Sequence, residues 1–510
     1  MTALGRTLAV GLLGMSARVV EVEAHLASAL PAFVLVGLPD ASLAEAKVRV
    51  RAAVACTGLA WPPRRVTVNL SPAALPKHGP GFDLAIAVAV LGATGQLDPE
   101  RARDTVHLGE LGLDGRLRPV RGVLPAVAEA VAQGRTRVVV PAADVPEAEL
   151  VPGAGVIGCA TLAEVVALHG GEVDATPTTP VPAPRTSTAS AAPGGDLAEV
   201  LGQPAARHAV EVAAAGGHHL LLTGPPGAGK TMLASRLPGL LPDLTEPEAV
   251  EVSAVHSVAG SFDPSGGLLR RPPYEDPHHT ASAVAIVGGG SGWPHPGAAS
   301  RAHRGVLFLD EAPEFSGRVL QTLRQPLEHG QLVISRAAGA ARFPARFQLV
   351  LAANPCPCGR ATGKGLDCSC TPQARRRYLA RLDGPLLDRV DLQVEVPAVR
   401  HLTGERPGES TATVAARVAA ARTAQALRWA DDPWRTNAEV PGARLRALLR
   451  PDPGLTADLH RALDAGRLTL RGADRVLRIA WTLADLAGAA APSREDVGRA
   501  LLLRTRGARP

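Results

Sequence analysis

No apolar run in this chain approaches the ~20 residues that a helix needs to cross a bilayer, so no membrane-spanning segment is expected. Lysine is nearly missing. Only Lys47, Lys77, Lys230 and Lys364 occur, and because arginine replaces it along the whole chain, an arginine by itself marks nothing. Cysteine is scarce too: Cys56 and Cys159 stand alone, while Cys356, Cys358, Cys368 and Cys370 crowd together, which is not the layout of a secreted disulfide scaffold. A reducing, cytoplasmic setting follows. Arg6 and the stretch from Thr7 to Ala17 imitate the basic start and apolar middle of a signal peptide, but Gly11 and Gly14 break the run and Val19-Val20-Glu21-Val22 alternates like a strand. What is present is a chain of 510 residues with a mild formal charge of +6, too long for one core and suited to two to four domains.

One stretch organises the rest. His218 to Leu222 is a short apolar run feeding into Thr223-Gly224-Pro225-Pro226-Gly227-Ala228-Gly229-Lys230-Thr231, a strand followed by a phosphate cradle. The glycines let backbone N–H groups converge on a nucleotide's phosphates, Lys230 reaches the β and γ phosphates, and Thr231 offers its hydroxyl to Mg²⁺. Further on, Gly305 to Leu309 reads as a buried strand ending in Asp310 and Glu311. Adjacent carboxylates there suit divided labour, Asp310 on Mg²⁺ and Glu311 on the attacking water. Phe347 to Ala353 is another apolar strand ending in Asn354, which can reach the γ phosphate and that water. Arg389, in the turn-rich run from Arg381 to Leu392, suits a finger reaching a neighbouring subunit's nucleotide.

Before this unit, Val19–Val22, Phe33–Val36, Val66–Asn69 and Val138–Val140 read as β-branched strands, and Ser42 with Glu45 caps a helix carrying Leu43, Ala46, Val50 and Val54. Residues 1–171 are thus an α+β unit. From 172 to 196 the chain is rich in Pro, Thr, Ser and Ala, with Pro180, Pro182 and Pro184 in register, and suits a tether or passive spacer. Residues 197–400 form the nucleotide-binding core. Residues 401–510, Ala-, Leu- and Arg-rich at helical spacing, form a helical lid with Pro451, Pro453 and Pro492 as breaks.

Pro76-Lys77-His78-Gly79-Pro80-Gly81-Phe82-Asp83, with Leu108-Gly109-Glu110 and Gly122-Val123-Leu124, resembles the Lon-protease domain, an S5 domain 2-like fold whose serine–lysine dyad cleaves peptides. The serine position is Gly81 and the lysine position Leu124, so a non-proteolytic domain used for assembly or binding is expected. The whole chain is identified as resembling the ComM/YifB family of magnesium-chelatase-like AAA+ ATPases. The resemblance is carried by Gly224–Thr231, Pro277-His278-His279-Thr280, Val287–Gly290, Val306–Glu311, Leu323–Glu328, Ile334–Ala337 and Asn354-Pro355-Cys356-Pro357-Cys358-Gly359. It implies an ATP-hydrolysing homo-hexamer that drives branch migration of DNA, single-stranded or branched, in recombination and natural transformation, alongside recombination proteins. Asn354 would be sensor 1, Arg389 the finger given in trans, and Arg471 sensor 2, with Arg475 and Arg478 competing for that role. A metal-chelatase motor subunit is the second reading. The family shows an acid at Ala298 and an aliphatic residue at Arg301, so this chain departs from its pattern there.

Leu332 to Pro344 reads as two strands joined by Ala337–Ala341 and resembles the pore hairpin of MCM-like helicases. Arg336 and then Arg342 are the expected phosphate contacts. The pairs Cys356-x-Cys358 and Cys368-x-Cys370 can supply four thiolates to Zn²⁺, although one intervening residue is fewer than usual, and reduced free thiols remain open. His278 and His279 are expected in a structural or pore-loop role.

Overall fold

The computed structural model describes residues 4–37, 41–73, 75–174, 178–182, 194–290, 293–336, 339–361, 367–382, 386–398, 408–449 and 454–504, without the side chains at 41, 42, 44, 336 and 449. The Ser42 cap, Pro184, Lys364, the hairpin tip at Ala337, the turn 383–385 and the Arg336 side chain therefore lie outside the described residues.

Leu4–Leu13 (β1) and Ser16–Ala27 (β2) pair antiparallel, with Val10 opposite Val19. The residues that imitate a signal peptide's apolar middle are therefore mostly a mid-sheet strand. Ala32–Val36 (β3), Arg65–Ser71 (β4), Val106–His107 (β5), Arg137–Pro141 (β6) and Gly155–Cys159 (β7) complete a seven-stranded sheet in the order β3-β4-β2-β1-β5-β6-β7. Alternation built it. Val20, Val22, Ala24, Val66, Val68 and Leu70 are buried on one face against Ala41–Cys56 (α1), whose Leu43, Ala46, Val50 and Val54 are all buried, and Asp83–Ala93 (α2). Asp83, buried at the head of α2, accepts from Arg49 Nε at 2.6 Å and Nη2 at 3.1 Å and from the Leu111 N–H at 3.3 Å. Burial raises its pKa and Arg49 opposes the rise.

The second unit is a five-stranded, wholly parallel sheet. Leu220–Thr223 (β8), Tyr274–Glu275 (β9), Val306–Leu309 (β10), Gln348–Ala353 (β11) and Leu392–Glu395 (β12) lie in the order β9-β10-β11-β8-β12. Every residue of β10 and β11 is buried, as strands covered on both faces require. Because all five strands run one way, the loops after β8, β10 and β11 emerge at one edge of the sheet. That edge holds the site.

Pro204–Gly216 (α3) covers one face and shares a single apolar cluster with the C-terminal helices, through Ala209, Val210, Val418, Trp429, Val476 and Trp481. Those helices are Thr411–Arg428 (α4), Gly442–Leu449 (α5), Ala457–Asp464 (α6), Leu470–Leu486 (α7) and Arg494–Arg504 (α8). No helix among the described residues is long and apolar enough to cross a membrane.

Candidate active site

The phosphate loop leaves β8 at the common edge. Gly227 and Gly229 stand at φ 75° and 89°, which a Cβ would strain, whereas Gly224 is required for a different reason: a Cβ there would lie 2.1 Å from the Val396 carbonyl oxygen. The Lys230 ammonium donates to the Gly224 and Pro225 carbonyls at 2.8 and 2.9 Å and to Asn354 Oδ1 at 3.0 Å. Burial lowers its pKa, and Asp310 and Glu311 work against that shift. Thr231 Oγ1 donates to Asp310 Oδ2 at 2.7 Å. Two oxygen donors that close, at the mouth of the loop, are the hard ligand type that Mg²⁺ takes. Pro225, Pro226 and Ala228 fill the loop, Ala228 buried and Pro226 against the next loop.

Strand order explains why five residues far apart in sequence meet. β11, carrying Asn354, lies between β8 and β10, so Asn354 stands between the loop and the two carboxylates. Glu311 adopts the left-handed conformation at φ 49° and its N–H donates to Asp310 Oδ1 at 2.8 Å. Such a backbone costs of order 1–3 kcal/mol for a non-glycine residue and clusters at functional sites. It turns the Glu311 side chain outward, where His279 Nδ1 lies 3.4 Å from Oε2. His279, expected in a structural or pore-loop role, lies beside the candidate base, its ring tilted against that of His278 with centroids 4.1 Å apart. The sequence carried no spacing signal for it beyond the His-His pair itself, which follows the short strand Tyr274–Glu275.

The arginines are elsewhere. Arg389 sits in the turn Leu387–Arg389, before β12, at the opposite edge of the sheet from the phosphate loop. It pairs with Glu328. Burial lowers its pKa, and the charges of Arg324, Arg475 and Arg471 lower it further. Arg471 begins α7 and is exposed; Arg475 is paired with buried Asp391 and Arg478 Nε donates to the Val440 carbonyl at 2.8 Å, so both competitors have structural partners. Asp391 opens the N-terminal end of β12, and its pairing with Arg475 brings the start of the lid helix to the Arg389 edge. The structure therefore does not bring Arg471 to this chain's own phosphate loop. Arg324, to which the sequence assigned no role, joins the same group. At Arg301 the departure from the family pattern has a partner: the guanidinium grips buried Glu275 at 2.9 and 2.7 Å, while Ala298 is buried and apolar.

The expected hairpin is present as Gln331–Arg336 (to be called the outgoing strand) and Gly339–Pro344 (the return strand), so Gly339 to Ala341 belong to a strand and not to the connection. Arg342 is exposed. Among the cysteines, Cys356 Sγ lies 3.3 Å from Cys358 Sγ and 3.6 Å from Cys368 Sγ, and all four sulfurs fall within 4.8 Å of one another. Tetrahedral zinc thiolates stand about 3.8 Å apart on Zn–S bonds of ~2.3 Å, so the set fits such an ion. The loop is not remote from the nucleotide side: Gly359, at φ 74°, has no room for a Cβ, which would lie 2.6 Å from Pro226.

A phosphate loop, a strand-end carboxylate pair and a polar sensor on the strand between them define a P-loop ATPase of AAA+ type. Residues 196–403 match the family described as magnesium chelatase, subunit ChlI; residues 22–144 match that described as subunit ChlI of Mg-chelatase, and residues 408–504 its C-terminal part. The chain is similar to an uncharacterized protein of Mycobacterium tuberculosis, 53% identical over 99% of this chain and 100% of the relative. It is also 41% identical to the uncharacterized protein YifB of Escherichia coli and to the competence protein ComM of Haemophilus influenzae, each over 93% of this chain and 92% of the relative. It belongs to the ComM/YifB family of magnesium-chelatase-like ATPases.

Proposed function

We propose that the protein is an ATP-driven DNA motor, a helicase or branch-migration translocase that works as a homo-hexamer in recombination and natural transformation. The observation that carries the motor reading is the division of the catalytic set between the two edges of one sheet. Lys230, Thr231, Asp310, Glu311 and Asn354 gather at the phosphate-loop edge, and Arg389, Arg471 and Arg324 gather at the other. Such a subunit would complete its neighbour's site while its own is completed by the next, which is the geometry of a closed ring. ATP would be held by the loop residues Gly224 to Thr231, with Mg²⁺ at Thr231 and Asp310 supplying charge neutralisation. Asp310 orients, Glu311 takes the proton of the attacking water, and Asn354 holds Lys230 in place until phosphate arrives.

DNA is favoured by the basic hairpin, through Arg342 and Arg336, and by kinship with a competence protein. The test is ATP turnover with and without single-stranded or branched DNA across a salt series, followed by strand exchange on a branched substrate. Stimulation that weakens steeply with salt is expected; turnover indifferent to DNA would remove this reading. The second reading, a chelatase-type ATPase remodelling a metal-insertion partner, is favoured by the three chelatase family matches and predicts that indifference.

The four cysteines would hold Zn²⁺ beside the phosphate loop. Stripping it with a chelator is expected to raise the KM for ATP several-fold, since the loop holding Gly359 against Pro226 loses its staple. Metal analysis checks the premise directly, with one zinc per chain expected, and protein containing none would refute it.

A further inference from the structure

The N-terminal domain is not an idle appendage. The β1–β2 turn presses on the return strand of the hairpin: the Met15 N–H donates to the Arg342 carbonyl at 3.3 Å, and a Cβ on Gly14 would lie 2.8 Å from that same oxygen. Leu12 and Met15 pack into one apolar cluster with Val258, Ala341 and Phe343. Beside it the His78 ring stacks on Trp293, centroids 3.9 Å apart and planes inclined by 19°. Trp293 in turn lies against Gly339, where a Cβ would be 3.4 Å from the indole. A second anchor ties Ser257 to the domain, its hydroxyl donating to Glu147 and its carbonyl accepting from the Gly122 N–H.

Two buried polar groups bear on the strength of this docking. The Trp293 Nε1–H is buried and finds no acceptor among the described residues, so the docked state forfeits a hydrogen bond that water would supply. Glu147 is also buried; burial raises its pKa, and the bonds from the Ser257 hydroxyl and the Leu124 N–H oppose the rise. Contacts between domains of one chain are by default ones that can open.

We propose that the N-terminal domain is a latch on the hairpin: docked, it holds the return strand through Met15 and the Trp293 ring through His78, and the hairpin engages DNA only when this contact opens. The proposal rests on the reading of the hairpin as the DNA-contacting element. It gives the protease-like domain a function that needs no nucleophile.

The test uses the full chain in three forms: unaltered, His78→Ala, and Gly14→Val. His78→Ala removes the stack without touching the backbone, and Gly14→Val wedges the turn away, so one variant serves if the other folds poorly. Amide exchange at Met15 and along 339–344 is read by mass spectrometry, and binding of a fluorescent single-stranded oligonucleotide by anisotropy. An aromatic pair of this kind predicts up to about a tenfold rise in exchange and a similar tightening of Kd, with basal ATP turnover unchanged. Exchange unchanged in both variants, or DNA binding weakened by them, would overturn the latch. If none of the three proteins binds DNA, the DNA reading is what fails, and the exchange measurement still decides whether the domain restrains the hairpin.

Discussion

Arg389→Ala is expected to lower ATP turnover by about 10³-fold or more, the range measured where an arginine finger is removed from a nucleotide hydrolase. Nucleotide affinity should change by no more than about threefold, because an interaction made in the transition state is lost from kcat and not from ground-state binding. The reason lies in the sheet. Arg389 precedes β12 and the phosphate loop follows β8, and these parallel neighbours put the two at opposite edges of the subunit. In the isolated subunit Arg389 is paired with Glu328 in the company of Arg324, Arg471 and Arg475. Three further positive charges beside it make the group electrostatically hungry for a polyphosphate. Mixing Arg389→Ala protein with Lys230→Ala protein should recover part of the turnover, since a mixed interface can pair an intact loop with an intact finger. Full turnover in Arg389→Ala alone would refute the shared site.

Glu311→Gln should cost about 10²- to 10⁴-fold in kcat, the usual worth of a general base, while leaving Mg²⁺-dependent ATP binding in place. Asp310 and Thr231, bonded to each other at 2.7 Å, are untouched and keep the two oxygens expected to hold Mg²⁺. Among the described residues the Glu311 side chain makes no such bond to the loop; it faces outward toward His279. A trapped ATP complex, read as nucleotide co-purifying with the variant and resisting single-turnover hydrolysis, is the expected signature. If Glu311→Gln turned over normally and Asp310→Asn did not bind Mg²⁺ or hydrolyse, the base would have to be sought elsewhere.

Much of this was legible because it is local. The phosphate loop, the Val306–Leu309 strand with its two acids and the Gln348–Ala353 strand are each written in a contiguous apolar run with polar residues at its end, and a fully buried parallel strand leaves no alternative pattern. Val19, Phe33, Val66 and Val138 likewise marked strands, since β-branched and aromatic residues suit a half-buried pleat. What was not legible depends on strand order and on contacts between distant segments. That His279 reaches Glu311 follows from β9 lying beside β10, and no spacing announces it. That Arg471 keeps company with Arg389 follows from the Arg475–Asp391 pair, made between the lid and the start of β12. Strand β1 was masked by its likeness to a signal peptide, a basic start at Arg6 and an apolar stretch broken by Gly11, and the docking of the β1–β2 turn on the hairpin is a meeting of the chain's first strands with its middle.

The empty place beside Gly81 bears on how this domain can change over generations. A Cβ at Gly81 meets no atom within 4 Å, so a serine there would encounter no steric objection. Leu124 is the opposite case: it is 1% exposed, at the head of a helix packed among Val10, Val106 and Val127. A lysine in its place would have to displace that apolar packing, with the buried Glu147 carboxylate, which accepts from the Leu124 N–H at 2.8 Å, as its nearest charged neighbour. A side chain added at Gly81 meets open space, while one exchanged at Leu124 meets a filled core. Change over generations is therefore freer at the first position than at the second.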